Sequence, residues 1–233
     1  AYLNNIIITG NTRTNEHIAR RELYTLPGEL FSKSAILRSM RQLGVIGHFD
    51  PEKISPNVVP DPANGTVDLH YKLEERANDQ FEISGGWGAG MLVGSVGVHF
   101  NNFSMRNFLN LKEWKPYPSG DGQSFSIRAQ SNGRLYQSYN LSFMEPWLGG
   151  NKPNSFSVSV YRSLMTNGRK KSDNNFQSML TNGASIGLGK RLEWPDDFFS
   201  LSGEINYQRY RLNDFTYYNF LFSDGVSNML TLS

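Results

Sequence analysis

The chain has 233 residues, a net charge of +2, no cysteine and no run of eighteen apolar residues. A disulfide framework, a thiolate metal site and a transmembrane helix are therefore excluded, and the charge is too small to argue for nucleic acid. A membrane is not excluded, because barrel strands alternate in polarity and never build a long apolar run. The chain starts at Ala1 with neither an initiator Met nor a signal peptide, and reads as a mature or trimmed piece.

Composition divides the chain near Arg76. Residues 1–76 hold nine basic and nine acidic groups with five aromatics, whereas residues 77–233 hold 25 aromatics and all four tryptophans. Two different folds are expected, one in 1–76 and one in 77–233.

The first begins with a β-branched run, Ile6 to Ile8, that ends at the turn Gly10-Asn11. Thr14 is placed to cap a short helix carrying Ile18, Ala19 and Leu23, and Pro27-Gly28 breaks it. Ser32 is placed to cap a second helix in which Ile36, Met40 and Leu43 share a face, with Gly44 positioned to end it. The segment "HFDPEKISPNVV" reads as an irregular extended stretch, and Pro51 and Pro56, lacking amide donors, suit an edge strand. Val67, Leu69, Tyr71 and Leu73 then alternate along a closing strand. The order is β-α-α-β-β. With "GNTRT", "RREL", "LGVIGHFD" and "VDLHYKLEER" standing in that order, residues 1–76 resemble a POTRA domain, and the terminal "ER" resembles the POTRA next to a barrel.

In the second part about eight strands are predicted, starting near 81, 91, 123, 134, 154, 178, 199 and 226. Alternation is clear in Phe125, Ile127 and Ala129 against Ser124, Ser126, Arg128 and Gln130, and again in Phe156, Val158 and Val160 against Ser155, Ser157 and Ser159. The polar face is mostly Ser, Asn, Gln and Gly, which suits a wet lumen, and the apolar face suits lipid. Trp114, Trp147 and Trp194 sit with proline at every second turn, which places them on one rim as a membrane-interface girdle.

The stretches "FEISGGWGAG", "NFL" and "YNLSFMEPWLGG" resemble the start of the barrel in the family of outer-membrane protein assembly factors. That family has a Gly-x-Gly after "NFL"; this chain has Asn110-Leu111 and an insertion, "KEWKPYPSGDGQ". The resemblance implies an α+β POTRA domain followed by antiparallel transmembrane β-barrel strands, here the N-terminal half of a sixteen-stranded barrel. It implies a bacterial outer-membrane location with the POTRA domain in the periplasm, and no cofactor. The implied partners are unfolded outer-membrane proteins, accessory assembly lipoproteins or other outer-membrane subunits, and the lipid bilayer. It also implies an insertase whose lateral gate is the first barrel strand: Phe81, Glu82, Ile83, Ser84, Gly85, Gly86, Trp87, Gly88 and Ala89. The Pro-marked stretch Lys53, Ile54, Ser55, Asn57, Val58 and Val59 reads either as a protected edge or as a rail for client strands. A polypeptide-secretion pore of the same superfamily and a self-contained small barrel remain as alternative functions.

Enzymatic motifs are weak. Ser185 in "GASIG" fits a nucleophile elbow, but the alternation runs straight through it and no helix follows. "GLGKR" has Ala184 and Arg191 where a phosphate loop needs Gly and Ser/Thr. His17, His48, His70 and His99 have no metal-ligand spacing. Asp196-Asp197 reads as a solvated turn, and Glu74, Glu75 and Arg76 as a charged junction.

Overall fold

The computed structural model describes residues 1–88, 91–114, 116–150, 152–192, 194, 199–216 and 223–233. It separates into two compact units, residues 1–78 with 101–123, and residues 79–100 with 124–233.

The first unit follows the expected order: β1 (Tyr2–Thr9), α1 (Glu16–Arg20), α2 (Lys33–Val45), β2 (Ser55–Asp61) and β3 (Thr66–Lys72). The sheet order is β1-β3-β2, with β1 parallel and β2 antiparallel to β3. A parallel β1–β3 pair requires a crossover, and the two helices supply it. Alternation along β3 sends Val67, Leu69 and Tyr71 into the core beside Leu3, Ile6 and Ile8 of β1. Ile36 and Leu43 of α2 and Phe49 and Ile54 beyond it close that core. Each such side chain contributes about 1.5–3 kcal/mol by leaving water.

Two local expectations need correction. Ser32 does cap α2, its hydroxyl accepting from the Ala35 N–H at 3.3 Å. Thr14, however, caps nothing: Asn15 holds the position before α1, and Thr14 is buried, accepting from Asn102 Nδ2 at 2.9 Å. Gly44 does not end α2 either. It lies inside the helix where a Cβ would sit 3.2 Å from the Pro51 side chain, so it permits close packing of the following turn.

Glu75 also does more than form a charged junction. Its carboxylate accepts from Thr12 Oγ1 at 2.6 Å and from the N–H groups of Arg13 and Thr14 at 2.9 and 2.6 Å. It thereby closes the loop opened at Gly10, whose φ of +93° and approach to the Leu73 carbonyl admit only glycine. Burial opposes ionisation of Glu75, but the donors from Thr12, Thr14 and Arg13 outweigh it and hold the carboxyl below its ordinary pKa.

The segment 101–123, which joins two barrel strands, folds as part of this first unit. Asp121 is its centre: Oδ1 accepts from Asn15 Nδ2 at 2.8 Å and Arg106 Nη2 at 2.9 Å, and Oδ2 accepts from Ser104 Oγ at 2.6 Å. Asn102 bridges Thr14 and the Gly122 N–H, and the Asn15 N–H donates to the Gly120 carbonyl. Gly120 has φ +120°, with Arg13 carbonyl oxygen 2.8 Å from where a Cβ would lie. Tyr117 receives Arg13 Nη2 at 3.0 Å. The insertion "KEWKPYPSGDGQ" is therefore a docking element for the β-α-α-β-β fold.

The second unit is one antiparallel sheet of eight strands in sequence order. They are β4 (Gln80–Gly88), β5 (Met91–Phe103), β6 (Gln123–Asn132), β7 (Tyr136–Glu145), β8 (Asn154–Thr166), β9 (Ser178–Arg191), β10 (Ser200–Asn213) and β11 (Gly225–Leu232). Register aligns Phe125, Phe143, Val158, Ile186, Ile205 and Leu232 in one row across the apolar face. On the other face Ser126, Ser142, Ser159, Ser185, Asn206 and Thr231 make a polar row, with hydroxyl pairs Ser126–Ser142 at 2.6 Å and Ser159–Ser185 at 2.9 Å. Few helices accompany the strands. The fold is a POTRA-like sheet followed by an up-and-down barrel sheet.

Glu75→Gln is expected to destabilise the first unit by about 1–2 kcal/mol, since a neutral amide loses charge-assisted bonds to a half-buried loop. Because the folded pKa lies below the ordinary glutamate value, Glu75 contributes fully above that ordinary value and loses its contribution as pH falls through the lowered pKa. The protection factors of the Arg13 and Thr14 amides, corrected for the intrinsic pH dependence of exchange, should fall from neutral to acid pH in the native chain and stay nearly flat in the variant. Asp121→Ala strands the Asn15 amide and the buried Ser104 hydroxyl and should cost about 2–4 kcal/mol. Urea unfolding monitored by Trp114 fluorescence measures it, and an unchanged midpoint would show that the turn is not held through Asp121.

Candidate functional site

Strand β4 lies at one end of the eight-stranded sheet and β11 at the other; among the described residues each pairs with a single neighbour. Of the nine residues Phe81 to Ala89, Ala89 lies outside the described residues and the other eight fall within β4. Phe81, Ile83 and Trp87 alternate on one face and are 70%, 86% and 76% exposed. Phe81 meets the Phe100 ring edge to face, with centroids 6.2 Å apart.

The other face of β4 is tied down by polar groups. Ser84 Oγ and Ser95 Oγ lie 2.8 Å apart, and Ser95 Oγ donates to Glu82 Oε1 at 2.8 Å. Glu82 also receives Arg128 Nη2 at 2.8 Å, from β6, two strands away. The bridge passes over Gly97, which pairs with Glu82 and whose missing Cβ would lie 3.5 Å from Arg128 Cγ. Sequence reading placed Arg128 on the polar face but had no means to find this partner.

The glycines of β4 and β5 differ in kind. A Cβ at Gly94 would sit 2.6 Å from the Ser84 carbonyl oxygen, so that position is closed to larger residues. A Cβ at Gly85 meets nothing within 4 Å, and at Gly86 only Val93 Cγ2 at 3.8 Å. Neither adopts the left-handed backbone. Nothing steric requires glycine at 85 or 86, so its effect there is to weaken the strand.

The stretch Lys53–Val59 divides in the structure. Lys53 ends a 3-10 turn, Pro51–Lys53, and pairs with Glu74, while Ile54 is in the core. Ser55, Asn57, Val58 and Val59 belong to β2, which lies at the edge of the three-stranded sheet. Pro56 and Pro60 have the same parity along β2, so one side of the strand has Val58 as its sole amide donor between them.

The three rim tryptophans have different surroundings. Trp114 packs on Phe108, with centroids 6.1 Å apart, inside the docked segment 101–123. Trp147 is half-buried, its backbone N–H donating to Glu145 Oε1 at 2.9 Å, and Trp194 is 83% exposed.

The weak enzymatic motifs find structural roles. Ser185 is a rung of the serine row in mid-strand. Gly183 and Gly187 leave room for the Tyr161 ring and the Ser157 hydroxyl, which a Cβ would meet at 2.2 and 2.5 Å. Among the described residues no group of three His, Asp or Glu is placed to hold a metal. Asp196 and Asp197 lie outside the described residues.

Comparison with known proteins agrees with this architecture. Residues 1–76 match the POTRA model, described as a surface antigen variable number repeat, and residues 119–229 match the Omp85 superfamily domain. The chain is 32% identical over 152 residues to the outer membrane protein assembly factor BamA of Neisseria meningitidis serogroup B, covering 63% of the chain and 16% of that protein. It is 33% identical over 99 residues to BamA of Neorickettsia risticii, covering 42% of the chain and 12% of that protein. The chain thus spans less than a fifth of the length of these relatives. Its fold is that of BamA from Haemophilus ducreyi lacking POTRA domains 1–3, with a TM-score of 0.63 at 20% identity over 100% of the chain and 42% of that structure. CdiB from Acinetobacter baumannii shares the fold at a TM-score of 0.54 and 17% identity, over 92% of the chain and 39% of that structure. Residues 1–76 are thus similar to a POTRA domain and residues 119–229 to the Omp85 superfamily domain, and the relatives the chain resembles in sequence are outer-membrane protein assembly factors.

Proposed function

We propose that this chain is the membrane-proximal POTRA domain and first barrel half of an insertase that folds other β-barrel proteins into the bacterial outer membrane. The observation that carries the proposal is Gly85-Gly86 in an edge strand where larger residues fit. A strand meant only to hold a sheet gains from a β-branched residue at such a position. A strand meant to exchange partners gains from glycine, which lowers the cost of breaking its pairing. Strand β4 is then one lip of the lateral gate, and an incoming client strand pairs along its free edge.

No nucleotide or cofactor is needed for this work. Free energy comes from burying the client's apolar face in lipid and from pairing backbone groups that hydrocarbon leaves unsatisfied. Residues 1–76 lie in the periplasm and meet unfolded clients, together with accessory lipoproteins or other outer-membrane subunits. The β2 edge from Ser55 to Val59 offers a client carbonyl acceptors but few donors on the proline side, so it serves brief capture and β4 serves templating. Trp114, Trp147 and Trp194 mark the periplasmic interface. The fold shared with CdiB keeps a secretion pore as the competing function; a secretion pore delivers its client across the membrane and leaves none in it.

The test pairs two substitutions of opposite sign in the full-length protein. Gly85→Val fits the open space and should strengthen β4 pairing by about 0.5–1 kcal/mol. It should slow insertion of a urea-denatured outer-membrane barrel into liposomes, read by protease protection, while slowing exchange of β4 amides. Gly94→Ala drives a Cβ into the Ser84 carbonyl and should speed that exchange. If Gly85→Val protects the amides yet inserts clients at the native rate, β4 is not the gate. Client found inside the lumen of the liposomes, and not in their membrane, would favour the secretion reading.

A further inference from the structure

The outward apolar face is interrupted by a basic row. Register places Tyr139, Arg162, Asn182, Arg209 and Asn228 side by side across β7 to β11. The row beneath it is apolar, running Leu141, Val160, Ala184, Tyr207 and Leu230 across the same strands. Arg211, two residues along β10 from Arg209, shares this face. All three arginines are exposed. They lie toward the strand ends opposite the three tryptophan turns, where "TNGRKKSDNN" joins β8 to β9.

Two observations bear on these arginines. Arg20, Arg106, Arg128 and Arg169 each have a carboxylate partner, whereas Arg162, Arg209 and Arg211, like Arg41, Arg76, Arg134 and Arg191, have none among the described residues. Beside them runs a shallow groove lined by Ile127, Ala129, Tyr139, Leu141 and Val160, with Arg162 in its wall. Tyr207 reaches from the apolar row to donate to Asn228 Oδ1 at 2.9 Å, which puts a second phenol hydroxyl at the level of the arginines. Unpaired guanidinium groups on a face otherwise apolar need an anion that itself belongs to the membrane. Guanidinium forks suit phosphate oxygens, and the groove suits an acyl chain. Neighbouring strands lie about 4.8 Å apart, so Arg162 and Arg209 flank Asn182 closely enough for their long side chains to converge on one headgroup.

We propose that Arg162, Arg209 and Arg211 form a site for a phosphate-bearing lipid of the outer leaflet, with Asn182 and Tyr139 donating to its headgroup and an acyl chain lying over Ile127, Leu141 and Val160. The inference rests on the barrel reading above and goes beyond it. It assigns the outward face of β7 to β10 a lipid that is selected, not merely tolerated.

The full-length protein is reconstituted in nanodiscs of phosphatidylcholine with and without phosphatidic acid, and retained lipid is counted by native mass spectrometry. Native protein should retain phosphatidic acid in preference to phosphatidylcholine. The triple variant Arg162→Gln, Arg209→Gln, Arg211→Gln should lose that preference by about tenfold or more, given roughly a tenfold factor in affinity for 1.4 kcal/mol and about 1 kcal/mol per basic residue near an anionic surface. Lys190→Gln, on the same face at the other strand end, should keep it. Equal retention of both lipids by native protein, an unchanged preference in the triple variant, or an equal loss in Lys190→Gln would each overturn the site. Competition by inorganic phosphate as strong as that of the lipid would overturn the lipid assignment. Ile186→Cys labelled by a bilayer-embedded maleimide separates the two levels: failure to label overturns the barrel reading, whereas labelling without lipid preference overturns the site alone.

Discussion

A backbone N–H or C=O in hydrocarbon must be paired within the protein, and an unpaired one costs several kcal/mol. Every other feature of the eight-stranded sheet answers to that constraint. Its eight strands are joined by seven seams, and among the described residues β4 and β11 each pair on one side. An edge of this kind is a liability in a protein that only needs to be stable. It is an asset in one that must pair with an incoming strand, because a client that takes up β4 satisfies the same groups any other neighbour would. Exchange between two such partners is nearly balanced. On the proposed gate reading, Gly85 and Gly86 weaken pairing with either partner alike, so they lower the cost of opening the seam and leave the balance between partners unchanged.

The polar face resolves a tension that this weakness creates. On the proposed gate reading, a strand that releases one neighbour easily must keep its other neighbour, or the seam loses its lip. Ser84, Ser95, Glu82 and Arg128 supply that hold on the side of β5 and β6. The Glu82–Arg128 pair is 46% and 57% exposed, so it adds little net stability. Its contribution is register: a one-residue slip of β4 would turn Glu82 to the apolar face and Phe81 to the polar one. Gly97 lies beneath that bridge, where a Cβ would touch Arg128 Cγ at 3.5 Å and Glu82 Cβ at 3.7 Å in ordinary contact.

What was legible in the sequence was whatever repeats locally. Period-two alternation located six of the eight strands, β5 to β10, and Ser32 was readable as a cap because its partner lies three residues away. Thr14 and Glu75 were misread for the complementary reason: their partners are Asn102 and the loop at 12–14, about 88 and 62 positions distant. A local rule applied to Thr14 returns a helix cap because a cap is the only partner such a rule can see. The arginine row was hidden differently. Arg162 and Arg209 each interrupt their own strand once, which looks like noise, and only register brings them beside Asn182. The insertion after "NFL" was visible as a departure from the family pattern, but that it packs on the POTRA-like fold through Asp121 was not.

Glycine makes the same point most sharply, because one letter stands for three different physical situations in this chain. At Gly10 and Gly120 the backbone demands it. At Gly94 and Gly183 a neighbour's carbonyl or ring occupies the space of a Cβ. At Gly85 and Gly86 neither holds, and the residue is simply the weakest choice for a strand. From sequence the run "SGGWGAG" reads as a single glycine-rich feature. Once the neighbours are known, the demanded and crowded positions drop out, and what is left in the strands is Gly85 and Gly86 of β4 together with Gly97 of β5 and Gly203 of β10, where a Cβ would meet only ordinary contacts. Gly85 and Gly86 are the adjacent pair among these positions, and on the proposed gate reading strength at position 85, where a larger residue fits, is the quantity on which that reading stands.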